Sequence, residues 1–208
     1  MISDHDLTLP SSANVSRETK ALLVQYVAML VKWNTAINLV SHASIKEVWT
    51  RHIVDSIQVF NFGHRAKHWA DLGTGGGLPG LVVAILALQM APEMRVTLVE
   101  SDQRKAAFLR QASQMLCVNT HVIADRIEAV APLGADVVSA RALAPLPVLC
   151  GFAKRHLARD GLAIFLKGKS AATEISAAQA TWQFSLESHR SVTDASATVL
   201  LVRNIIHV

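Results

Sequence analysis

Cysteine, proline and aromatic side chains are all scarce in this chain of 208 residues, and each shortage closes off a class of protein. Two cysteines, Cys117 and Cys150, are too few for a disulfide framework. Neither sits in a C-x-x-C or histidine-rich context, so both read as small buried hydrophobes. His52 has no second His, Cys or carboxylate placed to complete a metal site, and none is expected. No Ser/His/Asp or Cys/His set stands at catalytic spacing either. The longest apolar run, about Leu78 to Ala91, is too short and too marked by glycine and proline to span a bilayer. Met1 to Ser12 is polar and acidic, with neither a basic start nor an apolar h-region, which argues against a secretory signal. The expectation is a cytoplasmic protein, away from membranes, with no obligate protein partner. Charged residues are few as well, 17% against 51% apolar, so the chain is globular rather than disordered. Its length accommodates one α/β domain and a small appendage.

Glycine is concentrated instead of scarce. Five of the ten glycines fall between Gly73 and Gly80, in His68-Trp-Ala-Asp-Leu-Gly-Thr-Gly-Gly-Gly-Leu-Pro-Gly80. A strand-like run ends at Asp71, the glycines follow, and Leu81 to Met90 is apolar enough for a buried helix. Strand, glycine loop and helix start together present free N–H groups to a nucleotide-like ligand. Arg95 to Glu100 forms a second strand candidate ending in an acid able to accept both hydroxyls of a ribose. Two nucleotides compete. Gly75, Gly77 and Gly80 satisfy G-x-G-x-x-G, with Glu100 twenty residues on, as in an NAD-binding Rossmann protein. Asp71-x-Gly73-x-Gly75-x-Gly77, with Thr74 inside it, resembles the first motif of class I S-adenosylmethionine-dependent methyltransferases, where Glu100 would bind the ribose.

Elsewhere, Ser16 caps a helix running to about Trp33, with Leu22, Leu23, Tyr26, Val27, Leu30 and Trp33 at helical spacing. A second helix is expected from about Ser44 to Phe60. On it Arg51, His52, Asp55 and Ser56 share one stripe, either a polar patch aimed at a cleft or a simple Arg51–Asp55 pair. Residues 1–62 thus form a helical cap, and 63–208 the nucleotide-binding domain. Beyond Glu100 a helix to about Cys117 carries Phe108, Ala112, Met115 and Leu116 on its core stripe, with Arg104, Lys105 and Arg110 outward. Strands at His121 to Ala124, Ala135 to Ser139 and Gly161 to Leu166 alternate with helices, implying a right-handed parallel sheet. The strands Gln183 to Ser191 and Ala197 to Val202 are joined too tightly for a parallel crossover and must form an antiparallel hairpin. This α/β order resembles the Rossmann-like class I methyltransferase: a seven-stranded, mostly parallel sheet closed by an antiparallel hairpin. A dehydrogenase would need a second substrate domain, and no residues remain for one. Charge is uneven: Met1 to Phe62 is balanced, whereas Arg141 to Lys169 has six basic residues against Asp160 alone. That excess suits either an anionic polymer or a solvated face.

Five segments occur together and in order: Asn38-Leu39, Arg51-His52-x-x-Asp55-Ser56, the loop Asp71 to Gly80, Ala140-Arg141-Ala-Leu-Ala-Pro145 and Leu166-Lys167-Gly168. On them the chain, from about Val15 to Val202, resembles the RsmG (GidB) family, bacterial 16S rRNA guanine-N7 methyltransferases. The resemblance implies an S-adenosylmethionine cofactor, with Gly73 and Leu78 lining its site and Ile127 and Glu128 on the adenine side. Arg141 would lie beside the cofactor or the target base, positioning rather than acting as a general base. It also implies 16S rRNA, free or within a small-subunit assembly intermediate, as the partner, with Arg51, His52, Lys167 and Lys169 as candidate RNA contacts. One departure is visible. The family often has Asn-Leu-Thr where this chain has Asn38-Leu39-Val40, so Ser41 would have to supply any hydroxyl that matters. A methyltransferase acting on a small molecule or a protein stays open as the rival reading.

Overall fold

The computed structural model describes residue 9 and residues 14–208; the reading of Met1 to Ser12 falls almost entirely outside the described residues. Seven strands form one sheet: β1 (His68–Leu72), β2 (Arg95–Val99), β3 (Thr120–Ile123), β4 (Ala135–Arg141), β5 (Leu157–Lys167), β6 (Trp182–Arg190) and β7 (Thr198–His207). Their order is β3-β2-β1-β4-β5-β7-β6. The first five pair in parallel, and β7 runs antiparallel to both β5 and β6. All five residues of β1 are buried, as a central strand covered on both faces requires. The order reverses beside β1, so the carboxyl ends of β1 and β4 open a crevice there.

Helices α1 (Arg17–Asn34), α2 (His42–Ile45) and α3 (Asp55–Gly63) precede the sheet, and α4 (Gly80–Met90), α5 (Gln103–Met115), α6 (Leu146–His156) and α7 (Ala171–Gln179) alternate with its strands. Helix α4 is apolar all round and buried from Gly80 to Ala87 because the sheet covers one side and α1 another. The Ser16 hydroxyl caps α1 by accepting from Thr19 N at 3.1 Å, and Gln89 of α4 accepts from Ser16 N and Thr19 Oγ1 at 2.9 Å each. One apolar cluster runs without a break from Leu23, Leu30 and Phe60 of the leading helices into Leu81, Ile85, Phe108 and Leu109. Trp33 tilts against Phe108, and Phe60 stacks over Trp69.

Several expectations are corrected. The single helix from Ser44 to Phe60 is instead a short turn, α2, followed by a π-helical segment, Trp49–Val54, that runs into α3. Ser41 sets the start of α2 by accepting from Ser44 N, so its hydroxyl serves as a helix cap. Met115 is 52% exposed; Ala106, Leu109 and Ala112 hold the core stripe of α5 with Phe108. Cys150 is buried but Cys117 is exposed. Cys117 takes φ +52°, and α5 closes with Cys117 N bonding Gln114 O and Val118 N bonding Ser113 O. That is a Schellman closure with cysteine where glycine is usual.

Past α1, Asn34 Oδ1 accepts from Leu39 N at 2.8 Å and from Val40 N at 2.9 Å, turning the chain towards the glycine loop. Both amides are buried, so Asn34→Ala should lower the unfolding free energy by about 1–3 kcal/mol. Urea unfolding with an unchanged m-value measures this; a wild-type midpoint would mean that water replaces the carboxamide.

Candidate active site

The glycine loop leaves β1 at Leu72 and re-enters regular structure at Gly80, and Asp71 ties its two ends together. Asp71 is fully buried; Oδ2 accepts from Gly80 N at 2.9 Å and Oδ1 from Ser139 Oγ at 2.6 Å. Ser139 Oγ in turn accepts from Trp69 Nε1 at 2.8 Å. Burial pushes the Asp71 carboxyl up to about 6 despite these bonds. A Cβ at position 80 would lie 2.8 Å from Asp71 Oδ2, so only glycine lets the helix start approach the carboxylate. Within the loop Gly75 has φ +57°, and its N–H donates to Glu100 Oε2 at 2.8 Å. Tyr26 of α1 holds the other side, its hydroxyl donating to Gly76 O at 2.6 Å.

A cavity of about 470 Å³ opens over this loop. Gly73, Gly75, Glu100, Ile127 and Glu128 line it, five of the ten residues expected at a cofactor. Glu100 also accepts from Asp102 N at 2.8 Å through Oε1, which leaves two of its four acceptor positions open. Ile127 is held in place by His156, whose Nε2 donates to Ile127 O at 3.1 Å. The remaining five lie around the cavity rather than in its wall. Asp71 and Thr74 are buried beneath the loop, and Gly77 packs against Leu81. Leu78 is 3% exposed, and Arg141 lines a second cavity.

That second cavity, about 350 Å³, shares Ala142 with the first. Arg51, His52, Asp55, Arg141 and Lys167 line it, so three members of the polar stripe on the leading helices converge there. The fourth, Ser56, turns inward and donates to His52 O at 2.6 Å. Arg51 pairs with Glu47 at 3.7 Å rather than with Asp55. Arg141 donates through Nη1 to His52 Nδ1, which fixes the neutral tautomer with its proton on Nε2. Burial first, and the Arg141 charge second, push the His52 imidazole down to about 3. His68 lies away from both cavities, at the amino end of β1, bonded to Thr97 Oγ1 and Arg95 Nη2.

The basic stretch does not stay together in space. Arg141, Lys167 and Lys169 stand at the carboxyl edge of the sheet. Lys154, Arg155 and Arg159 stand at the amino edge, where α6 ends and β5 begins. Arg155 is held there by Val130 O. Lys167 is 9% exposed, its ammonium ion-paired to Glu174 Oε2 and donating to Ala144 O at 2.8 Å. A phosphate approaching Lys167 as an RNA contact would therefore have to displace that pair. Lys169 is exposed. Lys105, expected to face outward, stands half-buried in the first cavity's wall, and Ala142, to which no role was given, lies where the two cavities meet. It also read Tyr26 only as part of an apolar stripe. As the single tyrosine of the chain, among the leucines and valines of that stripe, it carried a usable signal.

A family model described as rRNA small subunit methyltransferase G (GidB) matches residues 19–205. The chain is 49% identical over 210 residues to a ribosomal RNA small subunit methyltransferase G of Cereibacter sphaeroides, all of both chains being covered. It is 42% identical over 205 residues to the one of Methylobacterium nodulans, covering 98% of this chain and 96% of that one. Among solved structures, a SAM-dependent methyltransferase from Aquifex aeolicus superposes with a TM-score of 0.60 at 10% identity, over 86% of this chain and 98% of that one. A tRNA methyltransferase from Aquifex aeolicus gives a TM-score of 0.53 at 14% identity, over 72% and 67%. These two likenesses establish the fold alone.

The tautomer lock has a direct readout. In an NMR titration the His52 ring should show no protonation above about pH 4. Arg141→Gln should raise its pKa yet leave it below 6.5, because burial is the larger cause. A wild-type His52 titrating near 6.5 would contradict the buried contact.

Proposed function

The chain belongs to the rRNA small subunit methyltransferase G family, and from that premise we infer that it transfers the methyl group of S-adenosylmethionine to N7 of a guanine in 16S rRNA. The NAD-binding alternative and the small-molecule or protein methyltransferase alternative give way to this family. The observation that carries the reading is the pair of cavities that meet at Ala142, the first of them open over the glycine loop. One suits a nucleoside-like donor and the other an acceptor.

The residues present fit the cofactor. Glycines at 73 and 75 leave room for a ligand against the backbone, Glu100 has acceptor positions to spare for ribose hydroxyls, and Ile127 offers an apolar face to an adenine. The cofactor supplies an electrophilic methyl group on a sulfonium. Everything else falls to the protein. Guanine N7 carries an in-plane lone pair and no proton, so it attacks without a general base. The chain's task is to hold N7 and the methyl carbon in line at about 3 Å and to accommodate the charge that passes to the base. The neutral His52 fits this, since it neither takes up nor releases a proton near neutrality.

Arg141, half-buried in the wall of the second cavity, is the positioning cation. It serves O6 or a flanking phosphate, because a bidentate grip on guanine would cover N7. Arg51 and Lys169 are the exposed cations at this edge that suit the RNA backbone. The leading helices and the sheet act as one unit, since a single core joins them. Ribosomal RNA as substrate puts the reaction in the cytoplasm. None of the described helices is long and apolar enough to cross a membrane.

With saturating RNA and cofactor, single-turnover methyl transfer should vary by less than roughly threefold between about pH 6.5 and 8.5. A tenfold rise per pH unit would mean an ionising acceptor or an essential base. Glu100→Ala should weaken S-adenosylmethionine binding by about 1–3 kcal/mol in calorimetry, through loss of charge-assisted hydrogen bonds. Unchanged affinity would leave Glu100 a purely structural brace for Gly75 and Asp102.

A further inference from the structure

The second cavity contains a carboxylate used on one side only. Asp55 Oδ1 accepts from Ser191 Oγ at 2.9 Å and from Thr193 Oγ1, both from the link between β6 and β7. Among the described residues Oδ2 accepts from none. Two hydroxyls thus fix the orientation of the carboxylate while half of its acceptor capacity stays open. Burial raises its pKa, and the nearby Arg141 charge opposes that rise, so carboxylate and guanidinium sense each other while lining one cavity. A partly buried carboxylate with an unfilled oxygen gains from any N–H donor brought to it.

Resting on the acceptor pocket proposed above, we propose that Asp55 distinguishes guanine from adenine, its open Oδ2 accepting from guanine N1–H and the N2 amino group while Arg141 faces O6. The polarity is specific. Guanine presents an acceptor at O6 next to donors at N1 and N2, matching a cation next to a carboxylate. Adenine presents a donor at N6 and an acceptor at N1, so both contacts would be repulsive, and mismatched buried polar groups are what produce large discrimination. A base taken out of its stack is commonly read along this Watson–Crick edge. Reading there also leaves N7, on the opposite edge, free for the methyl donor beyond Ala142. Asp55 is then a specificity residue that touches the substrate and moves no proton.

The competing role is a clamp on the loop after β6, and Asp55→Asn separates the two. Asparagine keeps a side-chain oxygen for Ser191 and Thr193 but puts an amino group where Oδ2 was. The assay compares kcat/KM on small-subunit rRNA carrying guanosine, or inosine by ligation, at the position the wild-type enzyme methylates. Wild type should prefer guanosine to inosine at least tenfold, because inosine lacks the N2 amino group. Asp55→Asn should lose at least tenfold on guanosine RNA, and at least threefold less than that on inosine RNA. Equal losses on both RNAs, as a clamp would give, or a loss below tenfold on guanosine RNA, overturns the assignment. Equal wild-type rates on the two RNAs also overturn it without recourse to any variant. A wild-type enzyme that leaves guanosine RNA unmethylated would instead sink the functional reading on which it rests.

Discussion

A single buried carboxylate sets the geometry on which both cavities depend. Asp71 holds the first amide of α4 and the hydroxyl of Ser139 at once, so β1, β4 and the helix start meet at one point. Trp69 completes the arrangement from below by donating to the same Ser139 hydroxyl. A charge this deeply buried is tolerated because both oxygens are hydrogen-bonded, and its raised pKa reflects what burial still costs. With the loop ends fixed there, Gly75 is left free to turn its amide to Glu100.

Arg141 at the end of β4 extends this logic. It comes two residues after Ser139 on the same strand, so the position of Asp71 indirectly sets where the guanidinium stands. From there it fixes the His52 tautomer on one side, and the next residue, Ala142, lies where the two cavities meet. Tyr26 and Asn34 show why the leading helices belong with this machinery: one holds the glycine loop and the other turns the chain towards it.

Most of the fold was legible because periodicity and punctuation carry it. The apolar strands, the Ser16 cap, the glycine loop and the tight β6–β7 link are local signals, and they were enough for a mostly parallel sheet closed by an antiparallel hairpin. What stayed hidden depends on distant contacts. The six basic residues between Arg141 and Lys169 read as one patch, but Arg159 sits in the bulge that opens β5 and Lys167 lies five residues past it at the far end, roughly 17 Å at about 3.3 Å per residue. Lys167 is neutralised by Glu174, which only the docking of α7 brings to it. Cys117 ends a helix in a conformation that glycine usually takes, so residue type pointed the wrong way. The π-helical turn before α3 has no period of its own to detect. At the site, glycines and Glu100 were legible as chemistry, whereas which residues of the glycine loop face the cavity was decided by backbone geometry alone.

The central claim is that a donor pocket and an acceptor pocket meet at Ala142 to methylate guanine at N7 without a base. Nucleoside analysis tests it most directly: small-subunit rRNA lacking the modification is incubated with the protein and methyl-labelled S-adenosylmethionine, then digested and resolved by mass spectrometry. The account expects label in 7-methylguanosine from a single position. Label in a methyladenosine, in guanine methylated at N1 or N2, or in no nucleoside at all would contradict it.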